Sequence, residues 1–364
     1  MPRRLRPLVL ALLASIGACA RARTPGVASG VAAATPAPGQ LDVRLVADEA
    51  DAALAILDAR RRGVPPTAAD WRRLFGTAGY QHVHEREASV GRAFTDSAFR
   101  AFLLADTLLD RVPALDTTLA RLERVDASAA ARRALRYLPA GTPIRARMYL
   151  EIKPLPNSFV FTGRDAVPSI FLAVRPRESP AQLENTLAHE LHHIGLDAAC
   201  PERAFAHAHP AERVLLRFLG AFGEGQAMLA AAGSPAVDPH AADDDSIRAR
   251  WDRDVAHAAT DIDTLSRFFD AVLDGRLTSA DSVRAQAATY YGVQGPWYTV
   301  GWLMAATIER ELGRPALIGT LCEPTRFLAL YDDAARRADG RGAALPRWDA
   351  SLLARLERLR AAAD

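Results

Sequence analysis

The stretch NTLAHELHHIG, residues 185–195, places three histidines and a glutamate within five consecutive positions. His189 and His193 are four apart, so on a helix both imidazoles leave the same side, one turn from each other. Zinc takes imidazole nitrogen at about 2.0–2.1 Å, and two histidines at this spacing can reach one ion without distorting the helix. Glu190 sits beside them, too displaced to join the same ion easily but placed to take a proton from a metal-activated water and return it to a leaving amine. The plainer reading is a polar helix face with no ion. His192 fits no metal role: it projects opposite the apolar stripe of this segment, toward solvent or a contact behind the ligands.

A third ligand separates the kinds of site this motif can build. The positions where a metzincin carries its glycine and third ligand hold Leu196 and Ala199, so that pattern fails. Asp197, one turn beyond His193, could ligate or, better, orient a ligand, although Gly195 between them could already loosen the helix. Further on, PAERVLLRFLGAFGEGQAMLAAAG reads as a second amphipathic helix with one acid, Glu224, inside a small and apolar run. Left unpaired, a buried carboxylate there would cost several kcal/mol or stay protonated, and a metal removes that penalty. Gly223 and Gly225 on either side would let another helix approach. Glu202, in the loop after Cys200, is the rival ligand.

The elements that must hold these groups are legible around them. Ser179, Pro180 and Gln182 form a helix start with a capping box. Leu183, Leu187, Leu191 and Ile194 then repeat as one apolar stripe, more than about 100° from the histidine pair. Upstream, residues 139–176 alternate and carry β-branched and aromatic residues between Pro, Gly and Asn, which predicts two or three short strands. Residues 41–139 read as helical throughout, with no strand signal, and helices resume beyond Glu178. The stretch DPHAADDDS reads as a solvated loop, and its aspartates lack the glycine and glutamate of a calcium loop. His82 and His84 are two apart in a helical context and do not converge. His207, His209, His240 and His257 sit in polar or loop contexts that give no ligand pattern.

The remainder bounds function. The chain has 364 residues, 49% hydrophobic and 24% charged, with a formal net charge of +2, and its basic residues are scattered arginines with one lysine, Lys153. That gives no basic patch for nucleic acid. The amino terminus has three arginines, an apolar run from Leu8 to Ile16 and small residues up to Cys19, the pattern of an export signal. Its apolar run falls well short of the roughly 20 residues a membrane-spanning helix needs. The ending IGAC resembles a lipobox, with Cys19 as the lipidated first residue of the mature chain; the alternative is a plain signal peptide cut near Ala20. Residues 20–40 are small and rich in Pro and Gly and read as a flexible linker. Export would leave Cys200 and Cys322 in an oxidising compartment, as a disulfide or as two buried thiols.

HELHH followed some thirty residues later by GEGQA resembles the gluzincin group of zinc metallopeptidases, and within it bacterial zinc-dependent protease lipoproteins. PWYTVGWLMAATIERELG, residues 296–313, and WRRLFGTAGYQHVHERE are similar to segments of the same proteins, so the resemblance spans about residues 70–335. It implies His189, His193 and Glu224 as zinc ligands, Glu190 as general base and a peptide substrate. It also implies Tyr298, in the first turn after Pro296, as donor to the oxyanion, with Tyr290 and Tyr291 as rivals. A strand ahead of the metal helix would pair with an extended substrate. The expected architecture is α+β and mainly helical. Residues 1–19 are a lipoprotein leader, 20–40 a linker, 41–140 a helical region, 141–335 a zincin-like catalytic region with a small sheet, and 336–364 a C-terminal helix. Two other readings stay open: a zinc-binding envelope lipoprotein without turnover, and a metal-dependent hydrolase of a non-peptide amide.

Overall fold

The computed structural model describes residues 39–364 apart from 90, 156, 157 and 164–166. The leader, Cys19 and the linker up to residue 38 lie outside the described residues. Leu41–Val46 forms a strand, β1, where the helical reading of residues 41–139 had none. The reason is local: Leu41, Val43 and Leu45 alternate toward the core while Asp42 and Arg44 point away, and helical periodicity begins only at Asp48. β1 lies parallel to β2 (Ile144–Glu151), with Leu41 opposite Ile144. β2 is in turn parallel to β4 (Pro168–Ala173), and β3 (Phe159–Thr162) closes the far edge antiparallel to β4, giving the order β1-β2-β4-β3.

A parallel pair needs a crossover. Between β1 and β2 it consists of seven helices among the described residues: α1 (Asp48–Arg61), α2 (Ala68–Phe75), α3 (Ala78–Ser89), α4 (Asp96–Leu103), α5 (Asp106–Leu109), α6 (Val112–Leu122) and α7 (Ala127–Leu135). Strand alternation divides the sheet's side chains between two layers. Met148, Leu150, Ile170 and Leu172 join the main core, whereas Tyr149 and Phe171 stack on the opposite face with Phe159 and Val83. The helical region 41–140 and the sheet therefore share one core.

After β4 come α8 (Pro180–Ala199), α9 (Pro210–Leu219), α10 (Gly223–Ala232), α11 (Asp245–Ala256), α12 (Ala258–Leu273), α13 (Ala280–Thr289), α14 (Pro296–Leu312), α15 (Arg314–Ile318), α16 (Pro324–Asp339) and α17 (Ala350–Ala363). Within residues 336–364, α16 ends at Asp339 and α17 is the one full helix among the described residues. α8 starts as its sequence dictates: the Ser179 hydroxyl accepts from the Gln182 N–H, and the Gln182 side chain accepts from the Ser179 N–H at 2.8 Å. Its stripe of Leu183, Leu187, Leu191 and Ile194 is buried in the sheet-side core. Gly195 does not loosen it. A Cβ there would lie 2.2 Å from Leu138 Cδ1, so the glycine makes room for a neighbour while the helix runs on to Ala199.

The helix expected around Glu224 is broken into α9 and α10 by a 3₁₀ turn at Gly220–Phe222, and α10 ends at Gly233, whose φ is +78°. α9 and α12–α17 build a second core around Phe222, Phe269, Trp297 and Tyr331. No helix among the described residues is long and apolar enough to cross a membrane.

Candidate metal centre

α8 and α10 pack side by side and bring three donor atoms together. His189 Nε2 is 3.2 Å from Glu224 Oε2, His193 Nε2 is 3.1 Å from the same oxygen, and the two Nε2 atoms are 3.1 Å apart. Two atoms that each lie about 2.0–2.1 Å from one ion at a tetrahedral angle are about 3.3–3.4 Å from each other. The trio is within a few tenths of an ångström of that spacing, and the donor set, two imidazoles and a carboxylate, suits zinc. Among the described residues it is the one group of three or more such donors that converges.

What presses Glu224 into place is the crossing of α10 with α14. A Cβ on Gly225 would lie 2.0 Å from the Trp302 backbone nitrogen, and one on Gly301 would lie 2.7 Å from the Phe222 carbonyl oxygen. The helices touch backbone to backbone, which only glycine permits at both positions. The same crossing carries Tyr298, one turn before Trp302, to the site. Its ring stacks on that of His189 with centroids 6.3 Å apart. Burial, and then the charge and hydrogen bond of the Glu224 carboxylate, hold the Tyr298 phenol well above its ordinary pKa.

The electrostatics follow from placing a carboxylate among imidazoles. Burial would lower the His193 pKa, but the Glu224 charge and hydrogen bond, helped by Glu190 and Asp197, outweigh it and raise the value to about 9. Burial would raise the pKa of Glu224, yet the two histidines hold it far below the usual carboxylate range. Glu190 is half-buried, and its charge acts on both His193 and Tyr298, which puts it beside the trio without joining it.

Other candidates fall outside. Glu202 is exposed and pairs with Arg217 at 3.6 Å. Tyr290 hydrogen-bonds with Gln286 and packs on Phe268 and Trp297. Tyr291 stays close, its ring 6.4 Å from that of Tyr298 and its phenol pushed up to about 12 by burial and the Glu224 charge. Asp197 is exposed, and no hydrogen bond joins it to His193 among the described residues. His192 is fully buried rather than solvated, and burial first, then His193 and His189, lower its pKa to about 3.

The remaining histidines lie elsewhere. His82 packs on Tyr149, and His84 on Phe94. His240 is buried, not solvated, because Asp243 accepts from its ring at 2.7 Å. His209 caps α9 and His257 bonds to the Arg253 carbonyl. Gly301 is the contributor that the motif leaves out; its signal is a glycine in the middle of a strongly apolar helix, which marks a close backbone approach. The pairing left open by the sequence is made: Cys200, just past the end of α8, is bonded to Cys322, just before α16.

Fold and site together define a mainly helical protein with a small sheet and a His-His-Glu trio of the metal-binding kind on adjacent helices. The chain belongs to the family described as "Putative zinc dependent peptidase (DUF5700)", whose model matches residues 71–340. Comparison with curated proteins gave no match, and neither did comparison with solved structures.

Proposed function

We propose that this protein is a zinc-dependent peptidase of the gluzincin type, with His189, His193 and Glu224 as ligands. The observation that carries the reading is the convergence of those three donor atoms at 3.1–3.2 Å with Glu190 at their side. When bound, zinc supplies Lewis acidity toward a carbonyl oxygen and toward water. Glu190, adjacent to His189 in sequence and half-buried, accepts the proton of the attacking water and later delivers it to the departing amine. The Tyr298 phenol remains protonated at any physiological pH and donates to the carbonyl oxygen as negative charge gathers on it. β3 is an edge strand of the sheet, and its free side offers backbone groups to an extended peptide. The leader pattern ending at Cys19 supports export and attachment to a membrane face through lipid.

The test compares wild type with Glu190→Gln and Glu224→Ala for zinc content and for cleavage of casein or a peptide library. Glu190→Gln should keep zinc and lose cleavage, while Glu224→Ala should lose both. Equal cleavage by wild type and Glu190→Gln would eliminate the mechanism. Zinc without cleavage in the wild type would favour a binding protein or a non-peptide amide substrate.

A further inference from the structure

The last turn of α8 and the joint between α9 and α10 enclose a cavity of about 300 Å³. None of His189, His193, Glu224, Glu190 or Tyr298 lines it, so it stands apart from the metal centre. Its wall is rich in rings and sulfur: Phe222, Phe327 and the Cys200–Cys322 disulfide, with Leu216 beside them. Its mouth is charged. Asp197, Glu202 and Arg217 are exposed and Arg203 is half-buried, so two acids and two bases share one opening. Their commitments to each other are loose: Glu202 and Arg217 come no closer than 3.6 Å, and Arg203 turns to Asp364 at 2.8 Å. Gly220 is exposed at the same opening, where a Cβ would meet nothing within 4 Å. Its φ of −64° is one that any residue adopts, so what the glycine preserves there is a clear entrance.

Gln226 is the one uncharged polar amide in the lining, and it lies inside. It is 5% exposed, and no hydrogen bond reaches its side chain among the described residues. A buried amide in that state lacks both an acceptor for its N–H and a donor for its oxygen. A single hydroxyl group supplies both.

We infer that the cavity is a binding site for a free aromatic amino acid with a hydroxyl at its tip, the tyrosine class. The ring lies among Phe222, Phe327 and the disulfide, since aromatic and sulfur neighbours favour a ring over an aliphatic chain. The hydroxyl bonds the Gln226 amide. The ammonium and the carboxylate stay at the mouth, the first toward Asp197 and Glu202, the second toward Arg203 and Arg217. A mouth of one sign would select a simple acid or a simple amine, whereas this one matches a head group that carries both charges. The volume is at the low end for a small-molecule site, which admits one amino acid and not a longer peptide. This binding is independent of the peptidase reading.

The test titrates L-tyrosine, L-phenylalanine and tyramine into the full chain by ligand-observed NMR, with zinc loaded and with the metal removed. Tyrosine should bind at least five-fold more tightly than phenylalanine, which leaves Gln226 unpaired, and than tyramine, which has no carboxylate. Gln226→Leu should bring tyrosine and phenylalanine to equal affinity, and Gly220→Leu should block both at the entrance. Melting temperature and zinc content, both at wild-type values, report that each variant is folded. Equal wild-type affinity for tyrosine and phenylalanine, or a tyrosine preference that survives Gln226→Leu, would overturn the site, as would undiminished binding in Gly220→Leu or no binding at millimolar tyrosine. Tyrosine affinity should be the same with and without zinc. Binding seen only in the zinc-loaded protein would place the amino acid on the metal and equally overturn the assignment.

Discussion

Gly225 of α10 and Gly301 of α14 meet with no side chain between them, and this contact sets where Glu224 and Tyr298 stand relative to each other. A methyl group on Gly225 would fall 2.2 Å from the Gly301 carbonyl carbon, and backbone cannot yield as a side-chain tip can. Gly225→Ala is expected to push the helices apart, lower stability by about 1–3 kcal/mol and weaken zinc binding. Gly195→Ala makes the comparison, since its new methyl group meets side chains rather than backbone: the end of Leu138 at 2.2 Å and Ile144 at 3.4 Å. It should retain zinc. Thermal melting with zinc stoichiometry checks both; undiminished zinc affinity in Gly225→Ala would detach the crossing from the metal centre.

Tyr298 touches the site in two ways, by stacking on His189 and through its phenol at Glu224. Tyr298→Phe keeps the first and removes the second. Turnover should fall by roughly 100-fold or more, the size of effect expected for one lost oxyanion donor, with zinc content unchanged. A variant with wild-type kcat would reduce Tyr298 to a packing role and direct attention to Tyr291.

On the proposed reading, zinc at His193 must compete with a proton. In the metal-free protein His193 has a pKa of about 9, against an ordinary 6.5, so it is charged at pH 7. A ligand imidazole must be neutral. Zinc titrations at pH 7 in buffers of different ionisation enthalpy should therefore show about one proton released per ion, declining as pH rises past 9. The sign for stability follows: the raised His193 pKa stabilises the metal-free fold fully below about 6.5 and is lost as pH rises through about 9. In Glu224→Gln the release at pH 7 should shrink.

A second pH dependence belongs to the sheet. Glu49, in the first turn of α1, and Glu151, ending β2, are almost wholly buried. Glu49 Oε2 accepts the Ile152 N–H at 2.7 Å, but its other oxygen and both oxygens of Glu151 have no hydrogen-bond partner among the described residues. Burial, with the nearby Asp48 charge adding to it, raises Glu49 to about 8; burial and then the Glu49 charge raise Glu151 well above its ordinary range. Both carboxyls favour the neutral form, so their contribution is intact below about 4.5 and is lost as pH rises through about 8. Lys153 opposes this, because burial lowers its pKa to about 8 and it costs most at low pH. Glu151→Gln isolates the carboxylate share. Its melting temperature should exceed that of wild type by about 3 °C or more at pH 8, with little difference at pH 5.

The metal helix is legible in the sequence because everything that defines it is local: a capping box, one apolar stripe and two histidines a turn apart. Glu224 is legible for a different reason, since an acid in so apolar a run demands a partner. β1 is not, because six alternating residues abut a helix start and their partner strand lies about a hundred residues on. His192 misleads for a related reason. A face opposite one apolar stripe implies solvent only if the helix is covered on one side, and α8 is packed against the sheet-side core and against α10 as well. The crossing at Gly225 and Gly301 needs a neighbour whose identity only the fold supplies, although each glycine interrupts an apolar helix visibly.

The bond between Cys200 and Cys322 encloses a loop with a sequence separation of 122 that carries α9–α15 and, among them, both Glu224 and Tyr298. A single nick anywhere inside that loop leaves two fragments covalently joined, and they travel as one species until a reductant is added. Self-digestion of the preparation would therefore escape notice on a non-reducing gel and be seen only after the thiols are freed.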